Sequence, residues 1–314
     1  MTLLYKIFAA IFLLATFPTY MTYAQSPATD EVKRLITDAG KAGTEEEYLI
    51  LMKRADSTAR RADDLGLQAK VNQDLGNHYF ATDADECIKY LQKAHSQFTS
   101  AGNKKAATIC LHNIAFAYED QKKDYENAMK FTKRAITAQT ELKDTLQMAN
   151  MYKYQCMLYG KLHNFKEGKK SADKAKQLYN AKNFRPGLAV TYRDLAILYE
   201  EEGQIDSSVA FMKMALDIWN SPELKSDNGS RIYGINSDLI RIYAKAKQPE
   251  DAEFMIYQNE QADASKLYDV EQLKFYKEAK DFLAKNKDKE KAKLYREKYN
   301  EQREKMKAEG KHVN

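Results

Sequence analysis

Turn-forming residues are scarce in this 314-residue chain: 12 are glycine and 5 are proline, against about 7% and 5% in an average soluble protein. A sheet-rich fold with many tight turns is hard to build from so few, so the expectation is a nearly all-helical protein. Cysteine is also rare, at 3, and tryptophan rarer, at 1. Neither charge sign dominates, with 50 Lys and Arg against 45 Asp and Glu. What is abundant is aromatic surface to bury, 21 Tyr and 13 Phe, which argues against low-complexity disorder. The length suits two compact domains or one long repeat array.

Residues 1–24 place Lys6 before an apolar run from Ile7 to Phe17, with Pro18 ending it and Thr22 and Ala24 set for a cut ahead of Gln25. This is the order of a secretory signal peptide. Eleven helical residues span about 16 Å, well short of the ~30 Å hydrocarbon core. An uncleaved anchor reaching Ala24 is the alternative. No cysteine follows the run, so a lipoprotein is not expected, and the expected location is periplasmic or secreted. Residues 25–29 read as a short linker. Cys87, Cys110 and Cys156 all fall in helical segments where a small residue is wanted, so buried thiols are expected in place of a disulfide framework.

One pattern organises the rest: a large aliphatic, a small residue, two variable positions, then tyrosine. It occurs as Leu75-Gly76-x-x-Tyr79, Ile114-Ala115-x-x-Tyr118, Leu195-Ala196-x-x-Tyr199 and Leu239-Ile240-x-x-Tyr243, with Gln155-Cys156-x-x-Tyr159 as a weaker copy. The tyrosines lie 39, 41, 40 and 44 residues apart. Eight to ten residues after each comes a second helical pattern: Cys87…Leu91…Ala94, Ala128…Thr132…Ala135, Gly168…Ala172…Ala175, Ser208…Met212…Ala215 and Ala252…Ile256…Asn259. Steps of four and three return to one helix face. Large residues then fill the space between two helices, and small ones let the backbones approach. One such hairpin cannot cover its own apolar face, so copies must stack.

The array resembles tetratricopeptide repeats, most closely over residues 192–220, with the leucine–small–tyrosine helix, Gly203 before the turn and a second helix ending at Ala215. Residues 69–260 carry the resemblance, and 30–66 and 266–309 read as one degenerate capping hairpin each. The expected organisation is an array over 30–284 and a basic capping helix and tail over 285–314. The period is about six residues longer than the family's usual 34, the family's first-helix tryptophan is absent, and prolines after the second helix are mostly missing. The fold implied is an all-α, right-handed superhelical solenoid of stacked antiparallel hairpins.

Sequence signals for chemistry are missing. The five histidines form no His-x-x-x-His spacing, and no Cys-x-x-Cys occurs, so no metal or cofactor site is expected. Asp83-x-Asp85-Glu86 lacks the glycine and distal glutamate of a calcium loop and reads as a helix cap. Glu200-Glu201-Glu202 reads as a solvated helix end. No phosphate loop or nucleophile elbow is present, and the expectation is a non-enzyme. From Lys285 onward there are 11 Lys and Arg against 6 Asp and Glu, which leaves the body neutral. That is not the basic stripe of a nucleic-acid binder. Ala292, Tyr295, Tyr299 and Met306 give the tail an apolar stripe for capping, with contact to an anionic membrane surface as the alternative.

In proteins of the resembled family, first helices line a concave groove that binds a peptide or a partner's helix. Helical spacing then puts Gln73, Asn77 and Phe80, then His112, Phe116 and Glu119, on that face, with Asn113 at its edge. Lys153 and Met157, Arg193, Ile197 and Glu200, and Ser237 and Arg241 continue it. Asn77 and Asn113 can hold a peptide main chain, the cations can meet carboxylates, and Phe80, Phe116 and Met157 offer apolar contact. Asn77 and Asn113 also match part of a carboxylate clamp found in some family members, but Asn150 and Tyr154 stand where that clamp needs basic residues. The function expected is a non-catalytic exported scaffold for a protein or peptide partner. The alternative is a periplasmic ligand- or peptide-sensing domain of a signalling system whose transmembrane and output parts are missing or separate.

Overall fold

The structure is a computed structural model that describes residues 27–224, 229–263, 267–286 and 288–311. The expected signal segment, the cut ahead of Gln25 and part of the connection after Pro222 lie outside the described residues. Among those residues the chain folds into fourteen helices and no strand. They are α1 (Pro27–Ala39), α2 (Glu45–Arg61), α3 (Leu65–Tyr79), α4 (Ala84–Ser100), α5 (Lys104–Asp120), α6 (Tyr125–Leu142) and α7 (Thr145–Lys161). Then come α8 (Phe165–Ala181), α9 (Arg185–Glu201), α10 (Ile205–Trp219), α11 (Gly229–Lys245), α12 (Pro249–Glu260), α13 (Asp269–Lys285) and α14 (Lys289–Ala308). The all-α hairpin architecture is therefore as the repeat spacing predicts. α1 begins at Pro27, inside the stretch read as a linker. The helices pack as two compact units, one ending at Met151 and the other starting at Tyr152.

A recurring turn explains how so little glycine suffices. Asp63, Lys123, His163, Asn183 and Lys247 have φ between 50° and 58°, and Gly102 and Gly203 have 75° and 85°. Each stands immediately before the residue that caps the next helix. One left-handed residue per turn is enough, and Asn, Asp or even Lys supplies it at a modest cost. The cap is then often a side chain that accepts the orphan N–H groups of the first turn. Asp64 accepts from Leu67, Asn103 from Ala106, Asp124 from Asn127, and Asp83 from both Asp85 and Glu86. Pro249 sits in the first turn of α12, where its missing N–H costs nothing.

In the first unit, Val32, Leu35, Met52, Ala55, Ala59, Val71 and Leu75 form one buried cluster. Ala69, Ala94, Phe98, Ala107 and Cys110 form another. In the second unit the largest cluster gathers Met212, Ala215, Trp219, Tyr233, Leu239, Ile240, Phe275, Ala279 and Tyr295. The positions where the repeat wants a small residue, including Ala115, Cys156, Ala196, Ala94, Ala135, Ala175 and Ala215, are wholly buried. The repeat tyrosine closes the hairpin on an aromatic ring from the second helix. Tyr79 stacks on Tyr90 at 5.8 Å, Tyr118 on Phe131 at 5.5 Å and Tyr199 on Phe211 at 5.1 Å. Such pairs add about 1 kcal/mol beyond the area they bury. At the C-terminal end, α14 turns Ala292, Tyr295 and Met306 inward, and Lys311 returns to pair with Asp269.

Candidate functional site

In the first unit, α3 and α5 lie side by side and carry five of the expected site residues, with a sixth, Phe80, capping the end of α3. Gln73, Asn77, Phe80, His112 and Asn113 are half-buried and Phe116 is exposed. The Asn113 amide donates to Asn77 Oδ1 at 2.9 Å, and Gln73 reaches Cys110 Sγ at 3.9 Å. His112 meets Phe116 edge-on at 5.5 Å between ring centroids. Gln121 donates to the Phe80 carbonyl. The result is a strip of amides and rings on which the two asparagines already form a bridge.

In the second unit, Lys153, Met157, Arg193, Ile197 and Arg241 are half-buried on α7, α9 and α11. Here the structure adds what spacing did not reveal. Arg193 Nε pairs with Asp238 at 2.9 Å. Arg241 pairs with Asp238 at 2.9 Å, with Glu200, and with Glu278 at 3.7 Å. Lys274 reaches Asp238 at 2.7 Å and Lys245 reaches Glu200 at 2.7 Å. Burial alone would raise the Asp238 pKa, but Lys274, Arg193 and Arg241 hold it down to about 2. Burial pushes Lys274 below the usual lysine range. Asp194, near Lys153 and Arg193, is pushed up by burial.

Two expectations need correction. Glu200 is not a solvated helix end: it is buried, because two cations converge on it from the next first helix. Ser237 does not look into the face. It is buried and donates to the Tyr233 carbonyl at 2.8 Å, a bond back along its own helix that satisfies a hydroxyl inside the core. Asp238, Lys245, Lys274 and Glu278 are the residues missed. The available signal was a charged residue on the stripe one turn from an expected cation.

No group of three His, Cys, Asp or Glu side chains among the described residues is placed to hold a metal ion. A cavity of about 340 Å³ on α1 and α2 is lined by Glu31, Lys53, Arg54, Ser57, Thr58 and Arg61, none of them an expected site residue. No helix of the described residues is long and apolar enough to cross a membrane.

Residues 147–221 match the family model described as tetratricopeptide repeat. No curated protein sequence matches the chain. Among solved structures, the apo form of RapI is similar with a TM-score of 0.64 and 13% identity, covering 88% of this chain and 99% of that one. Aspartyl phosphate phosphatase F from Bacillus subtilis is similar at 0.60 and 14%, covering 88% and 70%. A tetratricopeptide repeat protein from Parabacteroides merdae is similar at 0.57 and 16%, covering 87% and 93%. At these identities the likeness is one of fold.

Proposed function

We propose that this chain, built of tetratricopeptide-repeat hairpins, is an exported, non-catalytic scaffold that holds an extended segment of a partner protein on its first-helix faces. The carrying observation is the strip on α3 and α5. There Asn77 and Asn113 are bridged at 2.9 Å beside His112 and the exposed Phe116. Amides fixed in this way present both donor and acceptor to a peptide main chain, and an aromatic neighbour supplies apolar contact. A hydrogen-bonding surface on rigid helices loses little freedom on binding, which favours affinity. The tetratricopeptide match and the fold neighbours support protein partners in general; the signal-like order of residues 1–24 supports export.

The test uses full-length protein expressed with its first 24 residues. Expected outcomes are a mature N-terminus at Gln25 in the extracytoplasmic fraction, and cross-linked recovery of one partner by wild type. Asn77→Ala combined with Phe116→Ala should weaken that recovery about tenfold while the helical circular dichroism is kept. Undiminished recovery by the folded double variant removes the α3–α5 strip as the site.

A further inference from the structure

The charged residues of α9, α11 and α13 are arranged in two levels. The carboxylates form the floor, with side chains only 2% exposed for Asp238, 3% for Glu200 and 10% for Glu278. The cations stand above them, at 25% for Lys274, 28% for Arg241, 32% for Arg193 and 52% for Lys245. Four cations thus meet on Asp238 and Glu200, and Arg241 and Lys277 also reach Glu278. Arg193 commits only its Nε to Asp238, and among the described residues its terminal nitrogens make no ion pair or hydrogen bond. Lys153, on α7, has no carboxylate within ion-pairing distance among the described residues. The other acids nearby are Glu271 and Asp194, which act on Arg193 from a distance, and Asp281, paired with Lys277 at 3.5 Å.

Buried carboxylates of this kind demand more than one cation each, because desolvation of the anion must be offset. The longer cationic side chains lie over the floor and are more exposed than the carboxylates beneath. A partner reaching this face meets the side chains of Arg193, Arg241 and Lys245 before the carboxylates beneath them.

We infer that the α9–α11–α13 face receives an acidic, extended segment of the partner, with Asp or Glu at about every third position. This rests on the scaffold reading and specifies the partner's chemistry. The axes of directly packed helices such as α11 and α13 lie about 8–10 Å apart, which matches the ~10 Å between residues i and i+3 of an extended chain. Carboxylates at that spacing meet Arg193, then Arg241 and Lys245, then Lys274. A lysine-rich segment faces like charge, and a neutral one gains nothing from the cations.

The probe is a fluorescent peptide of four Glu-Gly-Ser repeats, with Gln and Lys counterparts, titrated against the full chain by anisotropy. The Glu peptide should bind about tenfold more tightly than the Gln peptide. It should weaken about tenfold between about 50 mM and 500 mM salt, and the Lys peptide should not bind. Arg193→Gln should reduce Glu-peptide affinity about tenfold. Lys245→Gln, at a half-exposed lysine whose loss leaves Glu200 paired with Arg241, should reduce it about threefold. Asn77→Ala with Phe116→Ala should leave it unchanged, so that loss of partner capture by that variant and loss of acid selectivity here are separate results. Equal affinity for Glu and Gln peptides overturns the inference, as does unchanged Glu-peptide binding by folded Arg193→Gln and Lys245→Gln proteins. Stronger binding to phosphatidylglycerol vesicles than to the Glu peptide also overturns it.

Discussion

Gly76 of α3 approaches Leu91 of α4 so closely that a methyl group on its Cα would lie 2.7 Å from Leu91 Cγ and 3.2 Å from the Cys87 carbonyl. Leu91 is wholly buried, and the carbonyl is backbone, so neither neighbour can withdraw. Gly76→Ala should therefore lose up to about 2 kcal/mol, overpacking of about 1–3 kcal/mol being set against the ~1 kcal/mol gain in helix propensity. Gly234 is the control. Its added methyl would meet Glu271 Oε2 at 2.4 Å, but that is the far end of a half-buried side chain that can swing aside. Gly234→Ala should hold or raise stability. Urea midpoints of the two variants decide it, and a Gly76→Ala protein more stable than wild type would refute the close approach.

The three thiols are free and buried, and burial pushes Cys87 and Cys110 up to about 12 and Cys156 upward as well. At pH 8 a thiol with a pKa near 12 is about one part in 10⁴ thiolate, and thiolate is the reactive form. Native protein should release almost no colour with a disulfide reagent such as Ellman's at that pH, and three equivalents once unfolded in guanidinium. Rapid native labelling of any one cysteine would contradict this packing.

Asp238 makes the second unit acid-sensitive in a definable window. Its folded pKa is depressed from 3.8 to about 2 by Lys274, Arg193 and Arg241 against the opposing effect of burial. A depressed carboxylate contributes stability above its unfolded pKa, and the contribution disappears as pH falls from about 4 towards 2. The size is about 2 kcal/mol. Asp238→Asn should be less stable than wild type at pH 6, and the gap should narrow by about that amount between pH 5 and pH 2 in urea titrations. Parallel pH profiles would show that the pairing contributes nothing.

The fold was legible because its signals are local. The tyrosine spacings of 39, 41, 40 and 44 residues are also the spacings between the starts of α3, α5, α7, α9 and α11. A five-residue motif is enough to mark where small side chains must lie. The candidate face was legible as a stripe: Gln73, Asn77, His112, Asn113, Lys153, Met157, Arg193, Ile197 and Arg241 are all half-buried. What those side chains touch was not. Arg193 and Asp238 are 45 residues apart in the chain, and Arg241 and Glu200 are 41 apart. Pairing across neighbouring repeats depends on rotamers and helix register that one repeat's pattern does not encode.

Asn259 shows the same limit inside the core. In the second-helix pattern it occupies the place of Ala94, Ala135, Ala175 and Ala215, so an alanine there looks like a return to the repeat's own preference. The structure argues the reverse. Asn259 is buried, and its amide donates to the Tyr233 carbonyl at 3.0 Å and to Ser237 Oγ at 3.2 Å. Its own Oδ1 accepts from Asn236 at 3.1 Å. Removing the side chain strands the Asn236 amide and leaves a space lined with polar atoms, at a cost of about 1–3 kcal/mol. Asn259→Ala should therefore lower the urea midpoint, whereas Ala215→Gly at the matching site of the preceding hairpin should cost only about 1 kcal/mol of helix propensity plus the loss of one buried methyl. An Asn259→Ala protein at least as stable as wild type would mean that the repeat's preference for alanine outweighs the buried network.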